Sequence, residues 1–445
     1  MMTSDLPSLN TDSCDTAIRA SFLHFLSDPD KSGDAYEYLD DGLLILRQGR
    51  VQALVNAVDA IDYLPDGAAL YDYSGRLVMP GFIDTHTHYP QTGMIASYGL
   101  QLLDWLEQYT FPTETRFAER EYADKIAAFF CEQMLRNGTT TSAVFATVHS
   151  ESVDAIFEQA QQRDMCLIAG KVMMDRNAPE ELCDTAESSY RQCSELIQRW
   201  HLKGRNLYAV TPRFAPCSSP AQLEVCGQLI SENPDLYLQS HVAENLDEVR
   251  WVSELFPASR SYLDVYDSFD LLGPRAVFAH CIHLDQEDRE RMAASGAAMA
   301  FCPTSNLFLG SGLFSLDDAR AQDIRVGIAT DVGAGTSFSL LQTLNEAYKV
   351  CQLAGQSLTP LKAFYLATLG AAESLYIDHR LGNFAVGKEA DFVVLDLAAT
   401  ELMQCRMEQA QTLEERLFAL MMLGDDRSIQ ATHLMGKRQY SRSNQ

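Results

Sequence analysis

The chain has 445 residues, 47% hydrophobic and 21% charged, which describes a globular protein with room for one large domain and a smaller attached one. Its 61 acidic against 34 basic side chains leave a formal charge of −27, which argues against nucleic acid as principal partner because phosphate binding needs a basic patch. No apolar run reaches membrane-spanning length, the opening MMTSDLPSLN lacks the basic region and apolar core of a secretory signal, and eleven scattered cysteines form no CxxC pair, so no membrane partner and a cytoplasmic location with reduced thiols are expected.

Taken in order, residues 1–40 are mixed and polar, and Ser27-Asp28-Pro29-Asp30 breaks any long element. From Asp41 the pattern turns strand-like: LLILRQGRVQALVNA predicts a hairpin through Gln48-Gly49-Arg50, and Ala69–Leu77 predicts a further strand. Near the other end, ADFVVLDL (390–397) and THLMGKRQY (432–440) are also strand-like. Two β-rich ends around a different middle predict one small β-domain assembled from residues 1–78 and 381–445, flanking a larger domain over 79–380.

The middle alternates apolar runs with amphipathic segments such as Glu121–Arg136 and Ser152–Arg163. The runs are GFIDTHTH (81–88), TTSAVFATVH (140–149), CLIAGKVMMD (166–175), LYAVTPRF (207–214), LYLQSHVAE (236–244), AVFAHC (276–281), AAMAFCPTSN (297–306) and VGIATDVG (326–333). Eight strands alternating with helices predict an α/β fold, a (β/α)8 TIM-type barrel. A doubly wound sheet is the runner-up, weakened by the lack of a GxGxxG turn after the first strand. Polar residues fall late in the runs: His86, His88, Lys171, Arg213, His241, His280 and Asp331. Catalytic residues of such barrels sit at the C-terminal ends of the strands, and a buried strand ending in His or Asp must give that group a partner.

Residues two apart on a strand face the same side, so His86 and His88 can aim both imidazoles at one metal. His241 is the third candidate ligand, with Glu244 just past the strand end, and Asp331 before a Gly-rich turn is the fourth. Taken singly, His241 could be a core histidine and Asp331 a helix N-cap; together they favour metal ligation. His280 reads as a group beside the metal that hydrogen-bonds water or substrate, with His283 beyond the strand end. Histidines with one carboxylate and an open position are the pattern of a catalytic zinc, which supplies hydroxide at neutral pH; iron or manganese would accept the same set. Lys171 could be a carboxylated bridge between two metals or a lysine bonded to a carboxylate.

With these residues in place, the chain resembles the guanine deaminases of the amidohydrolase superfamily. The resemblance is carried by PGFIDTHTHYPQ (80–91), LLDWLEQYTFPTE (102–114), RNGTTTSAVFATVH (136–149), KVMMDRNAP (171–179), TPRFAP (211–216), SHVAEN (240–245), FAHC (278–281), FCPTSNLFLGSG (301–312) and TDVGAGTSFS (330–339). The HxH and TD motifs specify only the superfamily, whereas Pro90-Gln91, Arg213-Phe214 and TFPTE narrow it to guanine. The resemblance implies one zinc per chain on His86, His88, His241 and Asp331. It implies Glu244 as proton shuttle, His280 beside the reacting centre, and Gln91, Arg213 and Phe214 around the purine. It further implies hydrolysis of guanine to xanthine and ammonia in purine catabolism, a homodimer, and an unmodified Lys171. The first forty residues and the C-terminal tail match less well. Three rivals stand beside it. The first is a related hydrolase acting on cytosine, a triazine or 8-oxoguanine. The second is the H-x-E/P-C-x-x-C zinc deaminase fold, which His149-Ser150-Glu151 fits but Pro216-Cys217-Ser218-Ser219-Pro220 does not. The third is a barrel that has lost catalysis, against which stand four intact ligand candidates.

Overall fold

The computed structural model describes residues 14–99 and 101–442, so the signal reading of the first ten residues lies outside the described part. The chain opens with β1 (Thr16–Phe25), β2 (Tyr36–Arg47), β3 (Arg50–Asn56) and β4 (Ala69–Pro80). β1 lies in the stretch read as irregular. Its alternation is broken by a bulge between Ala20 and Phe22, so Ala17, Ile18, Ala20, Phe22, Leu23 and Phe25 are all buried while Arg19 reaches Asp41 across the strand pair at 2.8 Å. β2 and β3 form the predicted hairpin, with Gln48 (φ 50°) and Gly49 (φ 74°) both left-handed, as a tight two-residue turn requires.

Next come β5 (Phe82–His88), β6 (Thr139–Phe145), β7 (Cys166–Gly170), β8 (Val172–Met173), β9 (Leu207–Pro212), β10 (Tyr237–Val242), β11 (Ala276–His280), β12 (Ala298–Phe301) and β13 (Arg325–Ile328). β7 and β8 are one predicted run interrupted at Lys171. All ladders here are parallel. Helices such as Arg120–Arg136 and Ser150–Gln162 fill the connections, matching the two predicted amphipathic segments to within two residues. The alternation sorts each strand into two buried sides. Ile168, Ala209, Ala279 and Ala300 face the inside, while Leu167, Tyr208, Phe278 and Phe301 pack outward beneath the helices.

The first and last strands meet, which decides between the two architectures. Asp331 donates its backbone N–H to the His86 carbonyl at 3.0 Å, and His88 donates to the Val332 carbonyl at 2.8 Å. Thr85 Oγ1 donates to the Ile328 carbonyl at 3.0 Å. Gly327 permits this approach, since a methyl group there would run into Thr85 Cγ2. The sheet is an eight-stranded barrel and not an open doubly wound one.

The chain ends with β14 (Phe392–Leu395), β15 (Ile429–Leu434) and β16 (Lys437–Ser441). These join the first four strands in a seven-stranded mixed sheet of order β16-β15-β14-β4-β1-β2-β3, so the second sheet is built from both termini as expected. The stretch 432–440 is not one strand but the end of β15, a turn at Met435 (φ 49°) and Gly436 (φ 73°), and most of β16. A Met-Gly turn lacks the Asn or Asp that announces a hairpin in sequence.

An ion-pair network joins this sheet to the bottom of the barrel. Arg205, before β9, reaches Glu389 at 2.8 Å and Asp391 at 2.6 Å, and all three are nearly buried. Arg205→Ala would leave the Asp391 carboxylate buried without its cation, a loss of about 3–5 kcal/mol. A lower urea midpoint with kcat retained in the folded protein is the expected result; an unchanged midpoint would show that the network contributes nothing.

Candidate active site

His86 and His88 end β5, His241 lies in β10, and Asp331 follows β13 by three residues, so all four reach the same rim of the barrel. His88 Nε2 lies 3.2 Å from His86 Nε2 and 3.1 Å from His241 Nε2. Asp331 Oδ1 lies 3.3 Å from His86 Nε2 and 3.4 Å from His88 Nε2. Zinc bonds of about 2.0–2.1 Å make a tetrahedron with edges of about 3.3–3.4 Å, so these four donor–donor distances suit such an ion. The protonation states suit ligation. Burial, reinforced by the neighbouring imidazoles, holds His88 and His241 well below the ordinary histidine range, and burial lowers His86 too. Burial opposes the Asp331 carboxylate, but its hydrogen bond to His86 and the charges of His86, His280 and His241 override this and bring its pKa down to about 2. His241 Nδ1 donates to the Arg213 carbonyl at 2.6 Å, which leaves the Nε2 lone pair free to ligate.

Glu244, just beyond β10, stands off this cluster. Its Oε1 accepts from Ser311 Oγ at 2.9 Å, and its Oε2 lies 3.3 Å from His280 Nε2. Burial raises its pKa. His280 donates from Nδ1 to Asn306 Oδ1 at 2.8 Å, and its Nε2 also faces Asp331 Oδ2 at 3.8 Å. Burial would lower His280, but Glu244 and Asp331 outweigh it and raise the pKa. Glu248 supports the glutamate from behind, accepting the backbone N–H of Glu244 at 3.0 Å and of Asn245 at 3.2 Å. Burial and the neighbouring Glu244 push Glu248 up to about 7. Ala243 (φ 49°), His280 (φ 71°), Cys281 (φ 53°) and Asp331 (φ 49°) all hold left-handed backbone, a concentration of strain typical of sites that surrounding packing over-determines.

Above the cluster lies a cavity. Its walls include Gln91, Arg213, Phe214, Glu244, His280 and Trp105, so the three residues expected around a purine share one space with the metal and acid–base candidates. Gln91 stands in the turn Tyr89–Met94 directly after β5, and Arg213 directly follows β9. Both bond to a carboxylate that sequence reasoning missed. Gln91 Nε2 donates to Glu114 Oε1 at 3.1 Å, and Arg213 Nη1 donates to Glu114 Oε2 at 2.6 Å. Glu114 ends the TFPTE motif, but an acidic residue in the first turn of a short helix ordinarily reads as a solvated one. Ser311, Asn306 and Glu248 were likewise missed. Asn306 and Ser311 lie in the conspicuous FCPTSNLFLGSG, yet nothing local shows which residue they serve.

Lys171 is fully buried, and its ammonium is committed to Asp184 and, at 3.3 Å, to the Val172 carbonyl. This is the contact of the carboxylate-bonded alternative. His283 Nε2 faces the Ser311 carbonyl at 3.0 Å, beyond the strand end as expected. His149 precedes the helix Ser150–Gln162 and Glu151 is exposed, and among the described residues neither joins a group of possible metal ligands.

Residues 77–438 match the model of the amidohydrolase family. The guanine deaminase of Escherichia coli K12 is 52% identical over 430 residues, covering 96% of this chain and 98% of that one. A solved E. coli guanine deaminase superposes with a TM-score of 0.94, covering 96% of this chain and all of that one, at 52% identity. The guanine deaminase of C. acetobutylicum, solved with guanine bound in its active site, superposes with a TM-score of 0.86 at 29% identity, covering 95% of this chain and 99% of that one. With the family model spanning most of its length and such likeness from end to end, the chain belongs to the amidohydrolase family.

Proposed function

We propose that this protein is a zinc-dependent guanine deaminase, hydrolysing guanine to xanthine and ammonia in purine catabolism. The observation that carries the reading is that Gln91, Arg213 and Phe214 line the same cavity as His88, His241, Asp331 and Glu244. One zinc per chain would sit on His86, His88, His241 and Asp331. When bound there it supplies Lewis-acid activation of the attacking water at neutral pH.

The side chains divide the remaining work. Phe214 offers a flat face for the ring, Arg213 donates to rim acceptors, and the Gln91 amide can both donate and accept. Asp331 accepts the proton as water attacks the carbon bearing the amino group, and its Oδ2 faces His280. His280, anchored through Nδ1 by Asn306, points Nε2 at the reacting centre. Glu244, whose raised pKa suits a proton donor, protonates the ring nitrogen beside that carbon. Now ionised, it takes up in turn the two protons of the attacking water, the first relayed from Asp331 and passed to the departing amine and the second kept from the new hydroxyl, so that ammonia leaves instead of an amide anion and both carboxyl groups return to their starting states.

A cytoplasmic setting is part of this reading, supported by eleven unpaired cysteines, nine of them buried. A homodimer belongs to it as well, on the strength of the resemblance alone. The acidic balance of the chain supports a small molecule, not nucleic acid, as its ligand.

Purified protein given a panel of purines, pyrimidines and triazines should release ammonia from guanine and contain one zinc per chain, with activity lost to a chelator and restored by zinc. Ammonia from cytosine or a triazine but none from guanine would overturn the substrate, and two metals per chain the cofactor.

Glu244→Gln keeps the shape but cannot shuttle protons. It should bind zinc and guanine nearly normally and turn over at least roughly 10²-fold slower. Asp331→Asn should perturb both metal content and rate. Zinc lost from the first variant and kept by the second would mean that the two roles are reversed.

Arg213→Ala removes a charge-assisted hydrogen bond worth about 1.5–3 kcal/mol, so guanine should bind roughly 10–150-fold more weakly with zinc retained. Guanine kinetics like those of the unaltered enzyme would take Arg213 out of recognition.

A further inference from the structure

Gln91 and Arg213 come from different strand ends, yet one side chain holds both. Glu114 is wholly buried, in the short helix Phe111–Thr115 of the segment inserted between β5 and the helix Arg120–Arg136. We propose that Glu114 is the positioning residue for substrate recognition. It decides which atoms Gln91 and Arg213 present to the purine, and with that the preference for a carbonyl over an amino group on the ring. This inference rests on the reading of the site as a guanine deaminase.

The case begins with what a carboxylate can do. Ionised, it only accepts hydrogen bonds. Gln91 must therefore turn its amide nitrogen toward Glu114 Oε1, at 3.1 Å, and its oxygen toward the Gly333 N–H, at 3.4 Å. The flipped amide would set oxygen against oxygen on one side and N–H against N–H on the other. The second N–H and the second lone pair of Gln91 are thereby left in a fixed order.

Arg213 is fixed in the same way. Its Nη1 is bound to Glu114 Oε2 at 2.6 Å, and its guanidinium carbon lies 5.8 Å from the centre of the Phe111 ring, in the same short helix. With one edge held, the other N–H groups are donors only, suited to an acceptor on the purine rim. Charge gives Glu114 a second task. Arg213 is 3% exposed, and among the described residues Glu114 is its only ion-pair partner. Without that carboxylate, a buried guanidinium would stand unpaired in a site built to hold a metal cation.

A rim of fixed donors satisfies the 6-carbonyl of guanine and leaves donors facing donors when an amino group replaces it, as in 2,6-diaminopurine. Leaving buried polar groups unpaired is the strongest means a site has of rejecting a close analogue. Glu114→Gln keeps the size of the side chain, removes the charge and lets Gln91 turn over.

The test measures zinc content, steady-state kinetics on both purines, and calorimetric binding of xanthine, which differs from guanine only at the reacting carbon and the ring nitrogen beside it. In Glu114→Gln the zinc content should match the unaltered enzyme and kcat should stay within about threefold. KM for guanine and Kd for xanthine should rise roughly 10–100-fold, and the kcat/KM preference for guanine over 2,6-diaminopurine should fall at least about tenfold. Glu114→Asp, one methylene shorter, cannot span both partners; it should raise KM with zinc intact and carries the test if the Gln variant fails to fold. Unchanged KM, xanthine affinity and preference would overturn the proposal, as would lost zinc or a lower kcat with KM unchanged, which marks a merely structural residue. If the unaltered enzyme releases no ammonia from guanine, the activity itself is wrong; if it does and the variants behave like it, only the role of Glu114 falls.

Discussion

Three imidazole nitrogens and a carboxylate oxygen packed with contacts of 3.1–3.4 Å form an arrangement that could hold a cation. Each lone pair is largely removed from water, and two imidazole nitrogens facing each other can share at most one proton. Left alone, such a cluster would swell or protonate. The barrel prevents the first by holding the donors on β5, on β10 and just past β13, and burial resists the second by lowering the histidine pKa values. The β5–β13 seam is therefore part of the site. The backbone bonds that close the barrel run between His86 and Asp331 and between His88 and Val332, so closure and ligand placement are one event. A metal bound there also stabilises the closed fold.

Around the cluster, two buried carboxylates with the same chemistry reach opposite states. Asp331 faces imidazoles and stays ionised, with a pKa of about 2. Glu244 faces a hydroxyl and His280, with the Glu248 carboxylate behind it, and burial carries its pKa upward. Environments that push two carboxyl groups apart separate a permanent base from a group able to hold and give a proton. Arg213 and Glu114 form the third element, a neutralised pair that leaves directed donors without adding net charge beside the metal site.

What could be read from the sequence was what is local. HxH on a strand is fixed by the two-residue period, and the run ending in Asp331 shows its strand and its polar end within a few letters. All eight barrel strands lay in the predicted runs to within one residue for the same reason. β1 was missed because its bulge erases the alternation, and the β15–β16 turn because Met435-Gly436 carries no strong turn signature. TFPTE was singled out, but the role of its Glu114 was beyond reach in a different way. Its two partners are 23 and 99 residues away, and its helix joins an irregular segment with no clear apolar period. Lys171 shows the converse. Its position at a strand end suggested chemistry, but its partner Asp184 lies in the following loop, where no pattern marks it.

The separation between what is local and what is distant follows the separation of tasks in the site. The residues proposed for metal and acid–base work sit at strand ends, where a parallel barrel makes eight side-chain positions converge whatever the loops do. Recognition is assembled otherwise. Gln91 stands in a turn, Arg213 just after a strand, and Glu114 and Trp105 in the inserted segment that covers the cavity. Changes in that segment can re-aim the donors while the four proposed ligands, Glu244 and His280 stay in register, because none of those six hydrogen-bonds to it through a side chain among the described contacts. On the proposed assignment, substrate range is held by the least regular part of the barrel and reaction type by the most regular. The buried Arg213–Glu114 pair is the point where the inserted segment is fastened to the rim of the barrel.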